Sequence, residues 1–373
     1  MVMTIRNLFY ASISMIKYQR MVYVYFRKLN AKLKKFKYEP LPAAAKLRIK
    51  NKFKAYGYKG ISTKWHQYYS GVNNKLDDNY IPELVYYSKI EPVLNQSIMF
   101  PALEDKNLLD NFFSASLLPK VIIKNINGFY YDNKGQQIGL ETAIDRCCQF
   151  SEWVIKPSVG TSGGKRVKKM ILKELKSAKD DLRSLFEEYH SDFIVQELIK
   201  QNAHLSKLNP SSLNTIRMMS YMRQDEVVPL SSLIRIGKSG SFTDNVTIGG
   251  MACGINEDGR LKKLAVDEYG NRYCCSDHGT ELHHFEIPMF QSAIALVKKL
   301  HKQMPHFKII SWDLAIDDKS EVRLIEFNAL GQGINMHQES NGPLFGEYTD
   351  EILSLAQREA KFSKHKMYGK YDN

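Results

Sequence analysis

Apolar and polar residues alternate from Ile309 to Asp317 and again from Val322 to Asn328. Asp318-Lys319-Ser320-Glu321, between the two runs, has turn chemistry, so the pattern predicts two strands joined as a hairpin. Trp312, Leu314, Ile325 and Phe327 mark the face expected to be buried. Comparable runs predict strands at Val121 to Ile123, Trp153 to Lys156, Val167 to Leu172, Asp192 to Leu198, Asn214 to Met222 and Val227 to Ile236. Apolar residues recur at helical spacing from Asn107 to Leu117, where Pro119 ends the run, and Glu174 to Tyr189 also reads as a helix. Glu286 to Met304 reads as an amphipathic helix with Phe290, Ile294, Val297 and Leu300 on one face. Residues 1–38 read as helix up to Glu39-Pro40-Leu41-Pro42.

Folding the hairpin about its turn sets Asp313 opposite Glu326, and the two-residue period puts Asn328 on the face of Glu326. An acid, an acid and an amide suit a hard cation such as Mg²⁺, which takes a few protein oxygens and completes its shell with water and phosphate. The bland alternative is a solvated hairpin with charges on its outer face. Gly331-Gln332-Gly333, just beyond, can let backbone N–H groups approach an anion. A second glycine-rich stretch follows the strand that ends at Lys156 and Pro157. Here Ser158, Gly160, Thr161, Ser162, Gly163 and Gly164 can lie over a triphosphate, with Lys156 supplying a point charge; a plain connector is the alternative. No helix begins at Lys165, so this is not a Walker A loop. Main-chain groups of Gln196, Glu197 and Leu198, at a strand end, can meet an adenine edge. Arg217 and Arg235 sit inside strands, where arginine needs an anionic partner or an open face. Gly237 to Gly250 reads as a flexible segment with Asp244 and Asn245 between glycine clusters.

The 373 residues can hold two or three subdomains, and segments 1–59, 60–150, 151–208, 209–355 and 356–373 are the expected divisions. A net charge of +13 suggests nucleic acid until it is located: residues 1–60 hold 15 Lys/Arg and one acid, Glu39, and the remainder is close to neutral. The basic N-terminus reads either as an interfacial helix on anionic lipid, with Lys32, Lys34, Lys35 and Lys37 attracting the headgroups, or as a packed helix with snorkelling lysines. Nucleic acid is a weaker third reading. The five cysteines have no metal-type spacing and fit reduced thiols in a cytoplasm. The sequence contains no membrane-length apolar run and no signal-peptide pattern, so a cytoplasmic protein is expected.

Taken in order, Lys106, Lys156, the glycine-rich loop, the strand ending at Leu198, Arg235 and the Asp313/Glu326/Asn328 set resemble the ATP-grasp ligases. Lys106 matches their DK lysine before a helix, and Lys156 the lysine in the strand before the loop. The stretch Arg235 to Gly250 is similar to the glutamate-ligase-like branch. The whole text, including Trp65-His66 and DNVTIGG, most resembles the sugar-transfer-associated ATP-grasp family, associated with bacterial capsule and surface-glycan synthesis. This resemblance implies an α+β chain with an ATP-grasp fold, in which segments 151–208 and 209–355 are α/β subdomains sandwiching ATP. Segment 60–150 becomes an N-terminal domain and 1–59 a basic helical extension.

It further implies ATP with Mg²⁺, or Mn²⁺ in its place, held by Asp313, Glu326 and Asn328. Lys106, Lys156 and Asn245 would lie at the phosphates, Arg235 at the tetrahedral oxyanion and Arg217 at the substrate carboxylate. The implied activity is a carboxylate–amine ligase working through an acyl phosphate on small, sugar-linked substrates. A phosphotransferase on a glycan precursor, and a non-catalytic nucleotide-binding scaffold of a glycan-assembly complex at the inner face of the membrane, are the competing readings.

Overall fold

The computed structural model describes residues 5–160, 166–175, 177–224 and 226–366. The chain divides into two units, Gln96–Gln332 and the pair of segments Met1–Asn95 with Gly333–Asn373.

The first of these units is built on two antiparallel sheets. Strands β1 (Val121–Ile126), β2 (Phe129–Tyr131), β3 (Gln137–Ile138), β4 (Glu152–Pro157), β5 (Lys168–Ile171) and β6 (Phe193–Glu197) form one, in the order β3-β2-β1-β6-β4-β5. The strand period sends Trp153, Ile155, Phe193 and Val195 to one face, where they pack with Ile144, Leu182 and Phe186 of the helices Leu140–Cys147 and Ala178–Tyr189. Lys156 therefore emerges on the opposite face. The second sheet holds β7 (Thr215–Arg223), β8 (Glu226–Ile236), β9 (Met251–Ile255), β10 (Leu261–Val266), β11 (Arg272–Tyr273), β12 (Ile309–Ile316) and β13 (Val322–Asn328), in the order β11-β10-β9-β8-β7-β12-β13. Ile216, Met218, Ile234, Trp312, Leu314 and Phe327 cover one face and pack against Phe290, Val297 and Leu300 of the helix Phe290–His301.

Several expectations need correction. A β-bulge follows the Asp313–Glu326 pair, so Leu314 faces Leu324. The bulge turns Leu324 into the core in place of Ile325, which is only half-buried. The helix expected from Asn107 to Leu117 is broken into Leu109–Phe112 and a 3₁₀ turn, Ala115–Leu117. Phe113 takes extended backbone and drops into the core edge-on to Trp312 and Phe327, and that packing outweighs helix propagation. The helix expected from Glu174 starts at Ala178, where Asp181 and Asp180 accept the N–H and hydroxyl of Ser177. The helix expected from Glu286 starts at Phe290, after Met289 adopts a left-handed φ of 56°.

In the other unit, α1 (Ile5–Phe36) lays Tyr25, Phe26, Leu29, Leu33 and Phe36 on a cluster formed by Trp65, Tyr68, Tyr69, Val72 and Tyr80. Glu83, Glu91 and Glu339 are buried there. Lys32 pairs with Glu339 at 2.7 Å, and the Tyr68 hydroxyl donates to the same carboxylate at 2.7 Å. No described helix is long and apolar enough to cross a membrane.

Candidate active site

On the face of the second sheet that turns away from the core cluster, alternate strand positions carry Thr215, Arg217, Arg235, Asp313, Glu326 and Asn328. Arg217 on β7 stands opposite Asp313 on β12, which stands opposite Glu326 on β13, so three charged residues form one row across the strands. The hairpin register expected from the sequence is the one observed. Thr215 and Arg235 form the neighbouring pair between β7 and β8, and Asn328 extends the same face of β13.

Asp313 is fully buried and its two oxygens are held by arginine. Arg217 donates through Nε at 2.7 Å and through Nη2 at 2.6 Å, a two-pronged grip, and Arg235 Nη2 lies 3.3 Å away. Burial alone would raise the Asp313 carboxyl; the two guanidinium groups outweigh it and pull it down to about 2. The same pairing overcomes the burial of Arg217 and raises its pKa.

Arg235 is in turn oriented from behind. Its Nε and Nη2 donate to Thr215 Oγ1 at 3.0 and 2.7 Å, and Asp244 Oδ2 accepts from the Thr215 hydroxyl and, at 3.1 Å, from its N–H. Arg235 Nε also lies 3.3 Å from Asp244. Burial raises the Asp244 carboxyl, against the pull of Arg235.

The segment carrying Asp244 is packed, contrary to the flexible loop expected. A Cβ at Gly250 would come within 2.7 Å of the Ile236 carbonyl oxygen, and one at Gly237 within 2.6 Å of the Thr243 oxygen, so glycine closes the loop at both ends. Asn245 caps the turn that follows, its Oδ1 accepting from Thr247 N and Oγ1 at 3.0 and 2.9 Å.

Two lysines complete the cluster. Lys106 Nζ lies 3.1 Å from Glu326, and its backbone N–H donates to the Ser158 carbonyl at 3.1 Å, joining the DK turn to the end of β4. Burial and the Lys106 charge together push the Lys156 ammonium down to about 8, against the attraction of Glu326. Ser158 is buried, and its Oγ has no partner among the described residues. Gly160 has φ +68° and its N–H donates to Glu104, whose carboxyl is raised by burial. Thr161, Ser162, Gly163 and Gly164 lie outside the described residues.

At the strand end expected to meet adenine, the Glu197 N–H donates to the Lys120 carbonyl at 2.9 Å, the Gln196 Oε1 is buried without a partner among the described residues, and Leu198 is half-buried. Gln332 is spent internally, bonded to Ser311 Oγ at 3.0 Å and to the Ile309 carbonyl at 3.2 Å.

The donor set fits a hard divalent cation. Glu326 is the less buried of the two acids in the row, with its side chain 30% exposed, and Asn328 can offer its Oδ1 to a cation while its buried Nδ2, a donor without a partner among the described residues, suits a phosphate oxygen. Asp313 could join them only by sharing oxygens already held by two arginines. Thr215, Asp244 and Glu104 belong to the cluster and were not expected from the sequence. The register pairing of Thr215 with Arg235 is the one signal that could have found the first of them.

The model of the sugar-transfer associated ATP-grasp family matches residues 87–354. No match was found among curated proteins. Among solved structures, ATP-grasp ligase PsnB complexed with its minimal precursor is 12% identical at a TM-score of 0.39, over 70% of this chain and 64% of that one. The D-cycloserine synthetase DcsG is 13% identical at a TM-score of 0.42, over 70% and 73%. D-alanyl-alanine synthetase A from Vibrio cholerae is 11% identical at a TM-score of 0.39, over 69% and 64%. The chain spans slightly less than two thirds of the PsnB structure.

Proposed function

Because the chain belongs to the sugar-transfer associated ATP-grasp family, we propose that it is an ATP- and Mg²⁺-dependent carboxylate–amine ligase acting in the cytoplasm on a sugar-linked acid or amine. The observation that carries this reading is the charged row Arg217–Asp313–Glu326, with Arg235 beside it and Lys106 reaching Glu326 from the glycine-loop side. Cations that bind phosphate and oxygens that bind a metal are interleaved in one cluster, which is what transfer of a phosphoryl group requires.

Lys106 and Lys156 hold the triphosphate as point charges, and the Ser158 hydroxyl donates to it. Glu326 and Asn328, with Asp313, would hold Mg²⁺, which when bound would neutralise charge on the phosphates. The substrate carboxylate oxygen attacks the γ-phosphorus in line as the bond to ADP breaks, leaving an acyl phosphate. An amine then attacks the acyl carbon, the bond to phosphate breaks, and an amide forms with loss of one proton. Arg235, held by Thr215, Asp244 and Asp313, would donate to the tetrahedral oxyanion, and Arg217 to the acid being activated. The hydrogen bonds of Arg217 to Asp313 and of Arg235 to Thr215 Oγ1 fix both guanidinium planes before substrate arrives, so little reorganisation is needed at the moment of reaction.

The test is product analysis with panels of sugar acids and amines. ADP release that requires both an acid and an amine, with an amide recovered, supports the ligase. A stable phosphorylated acceptor formed without amine would make it a phosphotransferase. Nucleotide binding with no turnover of any acid or amine would make it a non-catalytic nucleotide-binding scaffold.

A further inference from the structure

The N-terminal helix has a second face that its packing does not use. In α1 the buried side is set by Tyr25, Leu29, Lys32 and Phe36: Tyr25 stacks on Tyr87 with ring centroids 5.3 Å apart, Phe26 meets Trp65 edge-on at 4.7 Å, and Lys32 pairs with Glu339. These contacts fix the rotation of the helix. Ile16, Arg20, Tyr23, Arg27 and Lys34 then fall within about 40° of a single line on the opposite side, given about 100° per residue. All five are exposed, Ile16 and Tyr23 each to 65%. The stripe is about 27 Å long at about 1.5 Å per residue. Arg27 lies over the Tyr23 ring, 5.9 Å from its centroid. No Asp or Glu occurs anywhere in the helix, and residues 1–60 contain 15 Lys/Arg against one acid.

We propose that this stripe docks the protein on an anionic lipid bilayer, with α1 lying in the headgroup plane. Charge complementarity picks out an anionic partner, and the side chains between the cations choose among anionic partners. An exposed isoleucine and an exposed tyrosine gain from entering the boundary between headgroups and acyl chains, where tyrosine keeps its hydroxyl wet, whereas a nucleic-acid backbone offers the isoleucine nothing. Arginine pairs with lipid phosphate through its planar fork, and Lys34 extends its ammonium to the same level. No described helix can cross a membrane, so the contact is one of lying on the surface. The rigid seating of the opposite face means that the stripe is already formed before contact, so binding costs little ordering. This attachment is independent of the catalytic reading and can fail without it.

The experiment is co-sedimentation of the full chain with phosphatidylcholine vesicles, with and without phosphatidylglycerol, over a series of salt concentrations. Binding is expected only with the anionic lipid and should weaken steeply as salt rises. Each surface cation contributes about fivefold to partitioning, so Arg20→Glu, Arg27→Glu and Lys34→Glu combined should reduce it about a hundredfold or more. Ile16→Ala with Tyr23→Ala should reduce binding several-fold while leaving its salt dependence in place. An unchanged melting curve shows that the variants fold, because the substituted side chains lie on the outward face. Equal binding to neutral vesicles, or undiminished binding of the triple variant, would overturn the proposal. So would displacement from anionic vesicles by duplex DNA or RNA at equal phosphate, which would assign the stripe to nucleic acid.

Discussion

Replacing Lys156 with methionine should make the protein more stable and, at the same time, unable to hold nucleotide. The ammonium sits half-buried beside Lys106, and burial and repulsion push it from 10.5 to about 8. At about 1.4 kcal/mol for each tenfold change in protonation, keeping it charged at neutral pH costs about 3 kcal/mol in the nucleotide-free protein. Solvent screening of a half-buried group reduces this, so a gain of about 1 to 3 kcal/mol is expected from Lys156→Met, whose stem preserves the packing.

The pH dependence follows in sign. Because the folded-state pKa lies below the unfolded one, the unfolded chain binds more protons between about pH 8 and pH 10.5. Wild-type stability should therefore rise through that window, and the advantage of the variant should vanish at its upper end. Urea unfolding of both proteins at pH 7 and at pH 10, with and without an ATP analogue and Mg²⁺, is the assay. Ligand should stabilise only the wild type. A variant that is less stable than wild type at pH 7, or one that still gains stability from the nucleotide, would refute the reasoning.

Two further outcomes follow from buried charge elsewhere. Asp313→Asn leaves Arg217, its side chain only 13% exposed, with its main anionic partner gone; a loss of about 3 kcal/mol in urea unfolding is expected, together with loss of turnover, and an unchanged midpoint would contradict the ion-pair account. Glu83 is 8% exposed and its carboxyl is pushed up to about 7, chiefly by burial. Its folded-state pKa is raised, so the folded chain binds more protons between about pH 4.5 and pH 7 and stability falls as pH rises through that range. Glu83→Gln should accordingly be more stable by about 3 kcal/mol at pH 8, with the difference fading toward pH 5 in thermal melts; a constant difference across that range would exclude titration of Glu83 as its cause.

The pairing of Asp313 with Glu326 could be read from the sequence because strand period and turn chemistry are local properties, and both survive in the folded chain. The bulge beyond that pair could not, because it is set by which of Leu324 and Ile325 better fills the space under Leu314. The helix expected at Asn107 to Leu117 failed for the same kind of reason: Phe113 gains more from the ring cluster of Trp312 and Phe327 than from another helical turn. Arginine inside strands signalled a need for anions, and both arginines found Asp313. The relay from Arg235 through Thr215 to Asp244 was hidden, since it depends on a loop whose closure rests on Gly237 and Gly250 meeting backbone oxygens. The buried acids Glu83, Glu91 and Glu339 gave no sequence signal, because a glutamate among tyrosines reads as solvated until the fold encloses it.

The most direct test of the central claim is a calorimetric titration of a non-hydrolysable ATP analogue, with and without Mg²⁺, into wild type and Glu326→Ala. Mg²⁺ added alone should give no binding heat, because Asp313 already serves two arginines and the nucleotide phosphates must supply the remaining anionic ligands. The account predicts Mg²⁺-dependent nucleotide binding in the wild type and its loss in Glu326→Ala, which should otherwise melt as the wild type does. Wild-type protein that binds no nucleotide under any condition, or a Glu326→Ala variant with full Mg²⁺-dependent affinity, would contradict it.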